Sequence, residues 1–513
     1  MPDPKGRRAM LDIETTHGPI RGERIDMISV FRGIPFAAPP VGPRRWRPPA
    51  PPEAWTAPRD ATRFGADCPQ RTAIPIGSRA SEQSEDCLTL NVWTPAARPN
   101  EGLPVMVWIF GGSFQFGSGA EERADGMTFA RDGVIYVSIN YRTGMFGFLA
   151  HPQLTAESKD GSSGNYGLLD QIAGLRWVRE NIVRFGGDPD RVTLFGVSAS
   201  AASISPLMTS PLAQGLFQQV ILQSPGAFRR LASLADAEKA GAALDADIAA
   251  LLALSAEDLL DRQTLIEPAV RSLTAPRILR LIRDSHVVPA DDRDSFLGGR
   301  FAHVPAIGGC MEDEGSNAVA TWPVRAREDF AALLDRTFGE DAAQGGQAYP
   351  VASDDDVAGA LGDLFGDTRF TYGVAALSRV FAGAGVPVWR YAFTRRRPGK
   401  GAPKHSEDVS YVFDRPELPP RGESDHCHDA TDTRIAAAMH AAWVTFAKTG
   451  APGSIEWPRY APGTMSILEF GDSLSLRTSW PLLPDWEPFS RTDGRSRPVR
   501  MDAFELDGAH AQP

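Results

Sequence analysis

Four short segments, LPVMVWIF (103–110), GVIYVSIN (133–140), RVTLFG (191–196) and QQVILQS (218–224), are each built on a β-rich apolar run. A strand with one wet face alternates polar and apolar residues; a strand covered on both faces does not. Between them, GLLDQIAGLRWVRENIVRFGG sets Leu168, Ile172, Leu175, Val178 and Ile182 at helical spacing and stops at Gly186-Gly187. Further strands are expected at HVPAIGG (303–309) and VPVWRYAF (386–393), and a long helix over DTRIAAAMHAAWVTFAKTG. Strands alternating with helices predict an α/β fold: a mostly parallel central sheet flanked by helices. The helix-rich stretches around 227–300 and 322–385 then read as insertions over the end of the sheet where ligands bind in open α/β folds.

The chain has 513 residues. Length alone suggests about three domains, but the alternation fits a single unit over 1–513. With 42% apolar and 23% charged residues, such a chain buries a large core without staples. The net charge of −11 argues against nucleic acid as a partner. No apolar run is long enough to span a bilayer, so no membrane partner is expected. The opening MPDPKGRRAMLDIETTHG has basic residues but no apolar h-region, so no signal peptide is visible. The compartment is secreted or periplasmic if a leader has been removed and cytoplasmic otherwise; oligomeric state is not legible.

In TLFGVSASAA (193–202), Ser198 falls between the end of an expected strand and the start of an expected helix. That is the setting of a nucleophile elbow, G-x-S-x-G, with Ser200 in the place of the last glycine. Small-residue turns are common, so the stretch alone is a weak signal. A serine needs a base, and the base needs a carboxylate to orient it, in the chain order Ser, Asp/Glu, His. Among the nine histidines, His405 in GAPKHSEDVSYVF lies in a loop just after a strand. His440 falls on the apolar face of a helix and reads as a core residue. Glu314 in CMEDEGS lies at the end of the strand expected at 303–309. An oxyanion hole is expected from the amides of Gly112, Ser113 and Ala199, since FGGSF (110–114) turns just after a strand.

Other candidates are less specific. Phe110 and Phe114, with Trp108 and Phe116, are candidate walls for the acyl part of a substrate, but strand-end aromatics equally suit a core. Ser224 in LQSPG falls near the base as a candidate binding residue; packing accounts for it nearly as well. DHCH (425–428) is a poor metal site, because alternate residues of one loop rarely supply a full ligand set. Cys68 and Cys87 flank a polar loop, and a bridge there and two free thiols are equally consistent with the residues.

Taken together the chain resembles the type-B carboxylesterases, the family that includes the cholinesterases. FRGIPFAAPPVG (31–42), SEDCLTLNVW (84–93), NYRTGMFGFL (140–149), GNYGLLDQ (164–171), NIVRFGGDP (181–189) and FAKTG (446–450) carry the resemblance across nearly the whole chain. It implies an α/β-hydrolase fold, a cofactor-free serine esterase with a Ser198–Glu314–His405 triad, a disulfide between Cys68 and Cys87, and a structural ion pair between Arg45 and Glu85. SRASEQSEDCL, ILQSPGAFRRLASL, LFGDTRF and VPVWRYAF look like bacterial fumonisin esterases. That resemblance implies mycotoxin detoxification by hydrolysis of tricarballylate esters, whose acids are polyanionic.

The chain departs from the family at three places. Val197 stands where the family has glutamate, which removes a negative charge beside the expected histidine and suits an anionic substrate. Ser200 and Ser113 stand where it has glycine. The run Arg395, Arg396, Arg397, Lys400 and Lys404 is then either a solvated loop or an electropositive rim for a carboxylated ester. The expected function is ester hydrolysis through an acyl-enzyme on polycarboxylate esters. The alternatives are a short-chain carboxylesterase of broad specificity, a lipase (disfavoured by the lack of a strongly apolar lid), and a non-catalytic binding protein on the same fold.

Overall fold

The structure, a computed structural model, describes residues 9–477 apart from 73–75, 229–230, 267–272, 274–276, 340–341, 424–426, 454–455 and 465. One sheet of thirteen strands runs through it. Its middle is parallel: Ile135–Ile139, Leu103–Ile109, Gly187–Val197, Gln219–Gln223, Ala306–Met311, Val388–Phe393 and Ile467–Phe470 lie side by side in that order. The expected strands are all present. An antiparallel meander, Ala9–Thr15, Gly18–Ile25, Ile28–Pro35 and Thr89–Thr94, extends one edge. The residue patterns did not single it out as strands.

The unbroken apolar runs are explained by two layers of packing. Along Leu103–Ile109, Val105, Val107 and Ile109 point into one hydrophobic cluster, with Leu168, Ile172, Leu175 and Val178 of the helix Tyr166–Asn181. Met106 and Trp108 point into the other, with Met439, Trp443 and Phe446 of the helix Ala430–Thr449. Neither face meets water, so neither needs polar residues. His440 sits in that second layer with Nδ1 bonded to the carbonyl of Val412 at 2.7 Å, as a core histidine should.

The helices at 234–266 and 292–297 fall between the strands Gln219–Gln223 and Ala306–Met311; those at 316–383 fall between Ala306–Met311 and Val388–Phe393. Arg45 and Glu85 form the two-pronged ion pair that the resemblance implied, at 2.7 and 2.5 Å. The bridge that the resemblance implied is not formed in the structure. Cys68 and Cys87 are neighbours, but both are free thiols. Contact with Cys68 and burial push the Cys87 thiol well above its ordinary value.

Candidate active site

The parallel strands deliver their carboxyl ends to one cavity of about 510 Å³. Gly187–Val197 ends in a sharp turn where Ser198 takes φ 61°, ψ −118°, and the helix Ala199–Thr209 starts at once. A non-glycine residue held at positive φ costs about 1–3 kcal/mol and persists only where its surroundings fix it. Here the Ser198 amide donates to Gln223 O at 2.9 Å, and its carbonyl accepts from Ala202 N at 2.8 Å. Gly196 is required by close approach: a Cβ there would lie 2.4 Å from Ser200 Oγ and 2.8 Å from Ile109 O. The buried Ser200 hydroxyl donates to Val197 O at 2.8 Å. The irregular fifth residue of the motif therefore braces the turn.

Glu314 follows the strand Ala306–Met311 and is buried. Its Oε1 accepts from Ser224 Oγ at 2.5 Å and from Met311 N at 2.8 Å, and its Oε2 meets His405 Nδ1. The other edge of the imidazole is left for the cavity that both His405 and Ser198 line. Phe370 stacks on the His405 ring with centroids 4.5 Å apart. The geometry suits a base whose tautomer is fixed by a carboxylate. Ser224 is thus not a wall of the cavity. Its own left-handed backbone, φ 49°, directs its hydroxyl to Glu314.

Behind this pair, Asp408 accepts from Tyr391 OH at 2.7 Å and Gln223 Nε2 at 2.9 Å, and burial pushes its carboxyl up to about 6.

Gly112, Ser113 and Ala199 all line the cavity. Gly112 has φ 136°, and a Cβ on it would strike Phe116 O at 1.9 Å. Ser113 holds φ 59°, a conformation that favours glycine. Ala199 opens its helix, so its amide has no intrahelical acceptor. Two arginines tie down the loops on either side. Arg421 donates to Gly111 O at 3.1 Å and Arg123 to Ser406 O at 3.0 Å, and both bind the buried carboxylate of Glu121.

Val197, Phe114 and Phe116 reach the cavity. Phe110 does not: it stacks on Tyr141 at 4.4 Å inside the core. Trp108 is likewise core, against Phe195 and Phe413. Of the two readings of the run 395–404, the electropositive rim is not supported. Arg395 is ion-paired with Asp429, Asp432 and Asp472, Arg396 with Glu312, and Lys400 with Glu423. Arg397 bonds Tyr411 OH at 3.2 Å. Only Lys404 stays near the cavity, through Asn317 Oδ1 at 3.2 Å. Four other arginines line the cavity, Arg277, Arg280, Arg369 and Arg421, the last of them ion-paired with Glu121. Sequence reading gave none of the four a role: Arg369 lies in LFGDTRF, one of the stretches that look like fumonisin esterases, and the other three lie in insertions and loops with no motif around them. Asp425 and His426 of the DHCH stretch lie outside the described residues. Among the described residues, no group of three or more His, Cys, Asp or Glu side chains could hold a metal ion, and no helix is long and apolar enough to cross a membrane.

The model of the carboxylesterase family matches residues 9–480. The chain is 44% identical over 456 residues to the fumonisin B1 esterase of Sphingopyxis macrogoltabida, covering 87% of this chain and 84% of that protein. It is 34% identical over 479 residues to the para-nitrobenzyl esterase of Bacillus subtilis (strain 168), covering 90% and 95%. A solved PNB esterase superposes with a TM-score of 0.78 at 32% identity, over 91% of this chain and 97% of that one.

Proposed function

The chain belongs to the carboxylesterase family, and from that premise we propose that it hydrolyses carboxylic esters through Ser198, His405 and Glu314. Ser198 Oγ attacks the ester carbonyl while His405 takes its proton. Glu314, held by Ser224 and the Met311 amide, stabilises the imidazolium that forms. The amides of Gly112, Ser113 and Ala199 receive the developing oxyanion. His405 then protonates the leaving alcohol, an acyl group stays on Ser198, and a water activated by His405 releases the acid. The observation that carries this reading is Glu314, buried behind His405 with both oxygens engaged at the mouth that Ser198 shares.

The substrate we propose is an ester whose acid carries further free carboxylates, of which tricarballylate is an instance. Four arginines on the cavity wall and an uncharged Val197 support it, and so does the similarity to a fumonisin B1 esterase. The test is a panel of neutral and polycarboxylate esters with wild type and Ser198→Ala. Loss of turnover of about 10⁴-fold or more is expected in the variant. Undiminished turnover in Ser198→Ala would overturn the mechanism, and equal use of neutral and anionic esters by wild type would overturn the substrate class.

A further inference from the structure

Buried guanidinium groups in this protein are mostly met by carboxylates: Arg142 by Asp170, Arg123 by Glu121, Arg395 by Asp432. Arg390 is buried away from the cavity, with its guanidinium over the Tyr460 ring. Arg369 is different. It lines the ester cavity half-buried, and burial draws its pKa down to about 10, with no carboxylate among the described residues offsetting that. Arg280 shares the wall. Its Nε and Nη2 are buried without a hydrogen-bond partner among the described residues, and its guanidinium lies 5.8 Å from the Phe114 ring. A desolvated cation with open donors is costly unless something anionic arrives to meet it.

The backbone shows how Arg369 is presented. A single π-helical turn, Asp367–Thr371, interrupts what would otherwise be one continuous α-helix running from Val357–Gly366 into Tyr372–Gly383. Such turns are concentrated at functional sites, because the wider turn re-aims the side chains it carries. Here it carries both Phe370, stacked on the imidazole of His405, and Arg369, on the cavity wall beside it.

We propose that Arg369 and Arg280 form a carboxylate-binding subsite of the ester cavity, which holds a free carboxylate of the substrate's acid half. The proposal rests on the ester-hydrolase reading above and adds to it the residues that select the substrate. The planar guanidinium fork matches a carboxylate two-to-two, and exclusion of water strengthens the pair. An ester without the second carboxylate leaves both cations unmet and is selected against.

The experiment compares 4-nitrophenyl hydrogen glutarate with 4-nitrophenyl butyrate, which differ in the terminal carboxylate. Wild type is expected to favour the glutarate ester in kcat/KM. In Arg369→Met and in Arg280→Met, that ratio falls by about 10- to 100-fold, the worth of a charged hydrogen-bonded pair, through a higher KM for the anionic ester. Arg369→Lys keeps part of the preference. Free tricarballylate raises the unfolding temperature of wild type and loses that effect in the Arg369→Met, Arg280→Met double variant. Arg369→Met itself unfolds no lower than wild type, since a half-buried charge with no carboxylate partner has gone; a variant that fails to fold would mark Arg369 as structural and overturn the proposal. A wild-type preference that survives both single variants would overturn it too, while leaving the ester-hydrolase reading intact. Turnover retained by Ser198→Ala would strike that reading and leave the arginine ratio to stand.

Discussion

Arg421 grips both oxygens of Glu121, at 2.9 and 2.6 Å, and sends its third nitrogen to the carbonyl of Gly111 at 3.1 Å. Glu121 is shared: Arg123 binds it from the other side and reaches the carbonyl of Ser406. One buried carboxylate therefore tethers the loop before Gly112 and the loop that carries His405. Burial works against its charge, but the two arginines outweigh burial and hold the Glu121 carboxyl below its usual range. Glu121→Gln would leave two guanidinium groups facing each other without an anion. We expect a loss of about 3–5 kcal/mol in stability, read from urea unfolding. In the fraction that stays folded, kcat falls more than KM rises, because both loops shift. A variant as stable as wild type would mean that the arginines find other partners.

Ser224 touches no substrate, yet it donates to the carboxylate that orients the base. A hydrogen bond to a charged group is worth about 1.5–3 kcal/mol. Ser224→Ala should therefore lower kcat by about 10- to 100-fold with little change in KM. Met311 N still holds the same oxygen, so Glu314 keeps its place. Steady-state kinetics on a neutral ester read this directly, and a change confined to KM would count against the assignment.

The proposed triad could be picked out because each member follows an expected strand. Ser198, Glu314 and His405 each follow a run whose apolar pattern marks a buried strand. The walls of the cavity were not legible in that way. Arg280 and Arg369 come from the stretches inserted between strands, where no periodicity ties a side chain to the sheet. The run Arg395–Arg397 left two readings open for the opposite reason. Its charges are conspicuous in the sequence, but Glu312, Asp429, Asp432 and Asp472, which neutralise two of them, lie far away along the chain. The edge strands between Ala9 and Pro35 escaped notice because they are only partly covered, so polar residues interrupt their apolar ones.

Ser200 looks like a defect in the elbow, but its hydroxyl is buried and bonded to Val197 O. Restoring the glycine by Ser200→Gly removes that bond and adds backbone freedom in the first turn of a helix. The expected result is a loss of about 1–2 kcal/mol, seen as a lower urea midpoint. No gain in kcat accompanies it. A faster enzyme would show that Ser200 crowds the nucleophile instead of bracing it.

Asp367 begins the π turn that carries Arg369 and Phe370, and it accepts from Tyr349 OH at 3.0 Å. Burial pushes its carboxyl up to about 8. A carboxyl whose pKa is higher folded than unfolded keeps its proton in the folded state over a range where the unfolded chain has lost it. Stability then falls as pH rises from the unfolded value near 4 up to about 8, and levels off only above 8. Asp292 and Asp408, each pushed up to about 6 chiefly by burial, act with the same sign but are spent by about pH 6. Between pH 7 and 9 Asp367 therefore contributes a decline on the order of 1 kcal/mol, to which the raised thiols of Cys87 and Cys310 add toward the upper end. Asp367→Asn keeps an oxygen for Tyr349 and cannot ionise. It should flatten that part of the curve, so that the variant gains on wild type from pH 7 to pH 9 in urea unfolding. Parallel curves for the two proteins would rule Asp367 out as the source.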